Sequence, residues 1–109
     1  MFSPDIVVKK SKIHGLGVFA GRNFQKGEVV LAWDVGHRVS KSQAQKMTKK
    51  MRSYLNRDVN GKLVLLQAPE RFVNHSPKAN TKVSKARDVA IRFIKKGEEI
   101  TGNYDFEEV

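Results

Sequence analysis

The sequence predicts a mostly β fold with one short helix. Three observations carry this prediction. Short runs rich in Val, Ile, Leu and Phe recur along the chain, each bounded by turn residues. Val89-Ala90-Ile91-Arg92-Phe93-Ile94 shows part of the period-two alternation of a half-buried strand. Only one stretch combines a helix-start signal with apolar residues at helical spacing.

The elements follow in chain order. Ile6 to Lys9 and Gly17 to Ala20 read as the first two strands, and Val29 to Trp33 as the third. Ser40 followed by Gln43 is a capping-box pattern, in which the hydroxyl serves one orphan N–H and the amide reaches back. Met47, Met51, Tyr54 and Leu55 then share one face, with lysines on the other, so a helix is expected over about 42–54. Leu63 to Leu66 and Val89 to Ile94 complete the strands. There is a faint internal echo. Phe24-Gln25-Lys26-Gly27-Glu28-Val29 resembles Phe93-Ile94-Lys95-Lys96-Gly97-Glu98-Glu99-Ile100. Both read as turns with glycine at positive φ joining two strands, and two similar hairpin turns account for them.

The chain has 109 residues, which suits one domain with a real core. Its composition, 39% hydrophobic and 29% charged, is that of a globular chain rather than a disordered one. It has no cysteine, which excludes a disulfide framework, a thiolate zinc site and a cysteine nucleophile. The longest apolar runs are too short to cross a bilayer, and Met1-Phe2-Ser3-Pro4-Asp5 does not read as a signal peptide. The expectation is no membrane partner and an intracellular location, whether cytoplasmic, nuclear or nucleoid-associated, or inside a host cell after secretion without a classical signal. Lys and Arg number 21 against 11 Asp and Glu, a net charge of +10. Such a chain is drawn to polyanions, whether nucleic acid, acidic membrane or acidic protein.

Three constellations could carry chemistry. Lys12-Ile13-His14-Gly15-Leu16-Gly17 would let a backbone approach a ligand closely, but it lacks the third glycine and following helix of a dinucleotide site. Arg71-Phe72-Val73-Asn74-His75-Ser76-Pro77 places polar donors and acceptors after an apolar entry. Gly97-Glu98-Glu99-Ile100-Thr101-Gly102-Asn103-Tyr104 sets a phenol just after a turn and a short strand. Each has a plainer local reading: a Gly-x-Gly turn, an Asx-type turn with a satisfied histidine, and a core tyrosine. His14, His37 and His75 lack metal-ligand spacing, so no metal site is expected.

Taken in order and spacing, the three motifs resemble the SET-domain protein lysine methyltransferases, from about Ile6 to Asp105. The resemblance implies a β-clip fold of small curved sheets with a C-terminal pseudoknot, spanning residues 1–109 as a single domain. Residues 34–51 match nothing in the family and would be a variable insert. The implied cofactor is S-adenosylmethionine, bound on one face, while the substrate lysine enters a channel from the other. The backbone at Gly15, Leu16 and Gly17 would line the methionine and ribose part. Asn74 and His75 match the Asn-His pair that contacts the cofactor's amino group and adenine. Tyr104 matches the tyrosine at the methyl-transfer site, and Tyr54 resembles a second channel tyrosine. Trp33 would either line a wall or sit in the core.

Gly102, two residues before Tyr104, and Val83 match channel positions that can carry a phenol in the family. Neither does here, which implies an open channel and more than one methyl per lysine. The channel lid would come from Phe106, the insert, the substrate or a second copy of the chain in a homodimer. The sequence also departs from the family. Asn74 to Asn80 lacks the usual cysteine and second proline, and cysteine-rich flanks are absent.

The implied activity is S-adenosylmethionine-dependent lysine N-methylation. In-line transfer from a sulfonium to an amine needs alignment and a neutral amine, but no metal and no covalent enzyme intermediate. The implied partner is a lysine-bearing protein, DNA-associated or acidic, with a weak DNA contact in addition. The alternatives are a catalytically weak SET-like domain that binds DNA or chromatin through its charge, and a carbohydrate- or anion-binding domain of similar β-clip shape.

Overall fold

The computed structural model describes residues 5–103. The elements are β1 (Ile6–Lys10), β2 (Leu16–Ala20), β3 (Val29–Ala32), α1 (Lys41–Gln45), α2 (Lys49–Arg52), β4 (Leu55–Arg57) and β5 (Leu63–Leu65). A single 3-10 turn at Glu70–Phe72 leads to β6 (Asn74–His75), β7 (Thr81–Val83), β8 (Arg87–Ala90) and β9 (Glu99–Gly102). Seven strands form one curved sheet in the order β1-β2-β9-β7-β8-β3, with β6 beside β9, and β4-β5 is a separate hairpin. Strand β9 is the hub. It runs antiparallel to β2, with Val18 opposite Ile100. It runs parallel to β6, with Asn74 opposite Thr101, and parallel to β7, with Thr81 opposite Gly102. A mostly β chain folded into one curved sheet is the arrangement expected of a SET fold. No described helix is long and apolar enough to cross a membrane.

The core is built from both ends of the chain. Val18, Phe24, Ile94 and Ile100 are fully buried, together with Ile6, Ala20, Val30, Leu31, Val73 and Ala90. The internal echo lies at its centre, and the two turns are more than similar: they are bonded to one another. Phe24 and Ile94 exchange backbone hydrogen bonds of 2.8 and 2.9 Å. The Ala20 amide donates to the Glu98 carbonyl (2.8 Å), and the Ala90 amide donates to the Glu28 carbonyl (2.9 Å). The Gly27 amide donates to Ala90 and the Gly97 amide to Ala20, each at 2.8 Å. Both glycines need the left-handed backbone, with φ of 91° and 94°.

The side chains repeat as well. The Glu28 carboxylate accepts from the Gln25 amide and pairs with Arg22, while the Glu98 carboxylate accepts from the Lys95 amide and pairs with Arg92. Those backbone amides first, and the arginines after them, hold both carboxyls below the usual range.

Two expectations need correction. The helix expected over 42–54 is two short helices. The Ser40–Gln43 capping box forms as read. Thr48 then caps a second start, its hydroxyl accepting from the Met51 amide at 3.2 Å. Neither helix buries a residue, so no packing holds them in one continuous rod. Tyr54 falls beyond α2, and Leu55 opens β4. The strand expected over 89–94 also stops early, at Ala90. The chain must turn there to bring Ile94 against Phe24, which leaves Ile91 and Phe93 exposed.

Trp33 is a core residue. It is buried, and its indole N–H donates to Asp88 Oδ2 at 2.9 Å. Burial pushes the Asp88 carboxyl up to about 7, and nearby Glu70 adds to this, against the opposing Trp33 bond. In the unfolded chain this group titrates near about 4. Between those values the native state keeps a proton that the unfolded state has lost, so stability falls as pH rises and levels off above about 7. Asp88→Asn retains an acceptor for Trp33 and removes this titration. The melting temperature of the variant, relative to the parent, should therefore climb between about pH 4 and 8 in thermal scans. A difference independent of pH would contradict the burial account.

Candidate functional site

A cleft of about 940 Å3 opens between the approach to β2, the segment after α2 and the chain entering β6. One wall is the backbone of His14, Gly15 and Leu16. It turns sharply because Gly15 has φ of 46° and its carbonyl accepts from the Ser11 amide at 2.8 Å. Leu16 is nearly half exposed toward solvent. The opposite wall includes Tyr54, Leu66, Arg71 and Phe72, and Asn74 and His75 complete the lining.

Asn74 organises the floor. Its Nδ2 donates to the carbonyls of His14 (3.1 Å) and Leu16 (3.2 Å) and to Glu99 Oε2 (2.9 Å). The same Glu99 carboxylate accepts from the Ser11 hydroxyl at 2.8 and 2.9 Å. Strand β9 thus holds the approach to β2 through side chains as well as through its ladder. Gly17 lies directly against this knot. A Cβ there would fall 2.5 Å from Glu99 Oε2 and 2.9 Å from Ser11 Cβ.

A second knot fixes β9 from below. The buried Asn80 side chain donates to the Glu99 carbonyl (2.8 Å) and accepts from the Thr101 amide (2.9 Å). The Thr81 hydroxyl donates to the Thr101 carbonyl at 2.7 Å.

Tyr54 is held from two sides. The Arg71 guanidinium lies over its ring, 4.6 Å from the centroid, and Arg71 Nε donates to the Leu66 carbonyl at 2.9 Å. The Leu66 amide in turn donates to the Tyr54 carbonyl at 2.9 Å. The lining contains two side chains of full positive charge, Lys50 and Arg71, and no carboxylate among the described residues.

The structure therefore brings Gly15, Leu16, Tyr54, Asn74 and His75 to one cleft, with Gly17 packed under it. Gly102 is buried in β9 opposite His75 and Thr81, and Val83 ends β7 opposite Asp88; neither lines the cleft. Tyr104 and Phe106 lie outside the described residues. No group of three or more potential metal ligands occurs among the described residues. Sequence reasoning missed Ser11, Arg71 and Glu99. Arg71 and Glu99 stood inside the quoted motifs, but nothing local marked Glu99 as the acceptor of Asn74.

The family model for the SET domain matches residues 15–105. The chain belongs to the SET-domain family. Among solved structures, this SET domain resembles a candidate histone methyltransferase of Plasmodium falciparum, with 23% identity and a TM-score of 0.67, over 94% of this chain and 95% of that one. It also resembles a humanised mutant of the Chaetomium thermophilum Polycomb Repressive Complex 2 bound to an inhibitor. There the identity is 25% and the TM-score 0.75, over 91% of this chain but only 14% of the other. No curated protein matches it.

Gly17→Ala tests the close approach under the cleft. Ser11 Cβ sits on the backbone and cannot swing away, and the Glu99 carboxylate is tied by two partners. The SET domain should lose about 1–3 kcal/mol of stability in denaturant titration. An unchanged midpoint would mean that the Glu99 knot is loose.

Proposed function

We propose that this SET domain transfers a methyl group from S-adenosylmethionine to the side-chain amine of a lysine in a protein. The observation that carries this reading is the Asn74 clamp. It presents the His14–Leu16 backbone as the wall of a cleft that contains cations and aromatic rings but, among the described residues, no carboxylate. The residues fit the cofactor. Arg71 and Lys50 suit its carboxylate, and the His14 and Leu16 carbonyls keep lone pairs for its ammonium. Leu66, Phe72 and Tyr54 offer apolar surface to adenine. When bound, the cofactor supplies an electrophilic methyl on a sulfonium.

The chain's own work is alignment and desolvation. Asn74 fixes the backbone wall, and Tyr54 is rigid because Arg71 and Leu66 hold it. Tyr104 is assigned the methyl-transfer position from its place in the motif. An apolar channel lowers the acceptor lysine below its ordinary pKa of about 10.4 and so favours the neutral amine. No strong base is required for this. Gly102, Val83 and Phe106 are assigned to that channel, and the absence of a phenol at the first two favours more than one methyl per lysine. The reading treats residues 1–109 as one SET domain with 34–51 as its variable insert. The likeness to a Polycomb Repressive Complex 2 structure supports a chromatin-associated protein as substrate.

Two substitutions test the reading. Asn74→Ala frees the 14–16 backbone and leaves Glu99 with one partner fewer. Affinity for S-adenosylhomocysteine, measured by calorimetry, should fall by about 1–3 kcal/mol, which is roughly 5- to 150-fold. A folded variant with parental affinity would remove Asn74 from the cofactor site.

Tyr104→Phe should keep that affinity and lose most turnover, because it deletes one hydroxyl at the transfer position. Turnover is read as labelled methyl on lysine, mapped by mass spectrometry. Parental turnover in this variant would show that the tyrosine's role is misassigned.

A further inference from the structure

The positive charge of the chain is not evenly spread. Residues 35–66 hold eight Lys and Arg against one acid, Asp58, so this short stretch carries +7 of the net +10. All eight cations are exposed. The stretch also folds as one unit. Arg38 bridges to Val64, the Val39 amide donates to the Leu63 carbonyl, and the Leu65 amide donates to the His37 carbonyl. The chain before α1 is thereby added to the β4-β5 hairpin, and α1 and α2 are carried between them.

Asp58 is already engaged. It accepts from the Asn60 and Lys62 amides and lies 3.7 Å from Arg38. Lys41, Lys46, Lys49, Lys50 and Arg52 have no carboxylate at ion-pair distance among the described residues.

We propose that this basic unit is a docking surface for the phosphate backbone of a nucleic-acid duplex, placed so that a substrate on that duplex faces the cleft. The proposal rests on the cleft being the transfer site. Three features favour a duplex over the other polyanions. First, the α1–α2 face is lysine and arginine interleaved with Ser, Thr and Gln, the donor types that phosphate oxygens accept. Second, the face offers no apolar anchor. Neither helix buries a residue, and the large apolar residue that the unit exposes is Val59, at the hairpin tip. An acidic protein partner would need a buried anchor cluster, and a membrane surface would need an inserted apolar face. Third, α1 and α2 carry no aromatic side chain, so this face offers no platform for stacking unpaired bases.

The position gives the surface a purpose. Lys50, Ser53, Tyr54, Leu55 and Asn56 belong to both the unit and the cleft lining. A duplex seated on α1 and α2 would therefore border the cleft mouth. It would also bring the chain's positive field and a basic, nucleic-acid-bound substrate together, where the free substrate would be repelled.

The test compares two triple variants of equal net charge. One removes cations of the unit that do not line the cleft: Lys41→Gln, Lys46→Gln and Lys49→Gln. The other removes exposed cations elsewhere: Lys10→Gln, Lys82→Gln and Lys95→Gln. Binding of a labelled 20-base-pair DNA duplex of arbitrary sequence is read by fluorescence anisotropy across a salt series. The first variant should lose about tenfold or more in affinity, and its salt slope should shrink by about two to three. The second should lose less than about threefold. Equal losses in both variants would reduce the effect to bulk charge and overturn the proposal. So would tighter binding of a poly-glutamate peptide, of phosphatidylserine vesicles or of the unpaired strand than of the duplex. S-adenosylhomocysteine affinity, measured in the same variants, should stay at the parental value. Its loss in the parent chain itself would sink the methyltransferase reading and leave the duplex result standing.

Discussion

The amides of Ala20 and Ala90 each donate to the glutamate carbonyl of the other's partner turn, and the rest of the molecule is hung on that exchange. It locks two segments from opposite ends of the chain face to face, with Phe24 and Ile94 buried between them. Once they are locked, the chain after Gly97 has one course. It must run beside β2, between that strand and β7, as β9. Glu99 then arrives under Gly17, and Thr101 arrives against Asn74 and Asn80. The cleft is thus a secondary product of how the two turns meet. Its walls come from residues far apart in sequence, and no single segment could hold the shape alone.

The polar knot around Glu99 shows how a half-buried carboxylate is put to structural use. Ser11 and Asn74 both donate to it, so its oxygens are met by fixed donors. The knot lies just below the cleft, while the lining, among the described residues, carries only positive formal charge. A ligand carboxylate would therefore meet Arg71 and Lys50, with Glu99 already engaged by Ser11 and Asn74.

Much of this was legible in the sequence, and the failures have physical causes. The strands at Ile6, Gly17, Val29 and Leu63 were readable because short runs rich in Val, Ile, Leu and Phe stood between turn residues. The Asn74-His75 and Gly15-Leu16-Gly17 motifs were readable through their order, and the structure does bring them together. The split of the helix was not read. An apolar face at helical spacing suggested a continuous rod, but Thr48 offers a competing cap and nothing packs across the break. The early end of β8 was not read either, because the alternation at Ile91 and Phe93 imitates a strand while tertiary pairing at Ile94 overrides it. The echo at Gly27 and Gly97 was seen as a likeness. That the two copies bond to each other is a fact of three dimensions, and no local pattern encodes it.

The position of β9 has a consequence for the order in which the molecule is made. Val18 leaves the ribosome long before Ile100, yet the two are ladder partners, and Ala20 waits for Glu98 in the same way. Until the last strand emerges, β2 presents an open edge with apolar side chains and no neighbour on that side. Contacts of such long range form slowly, because a large loop must close before they contribute. In a nascent chain β2 can therefore pair early only with β1, its neighbour in sequence, and its other edge is filled last.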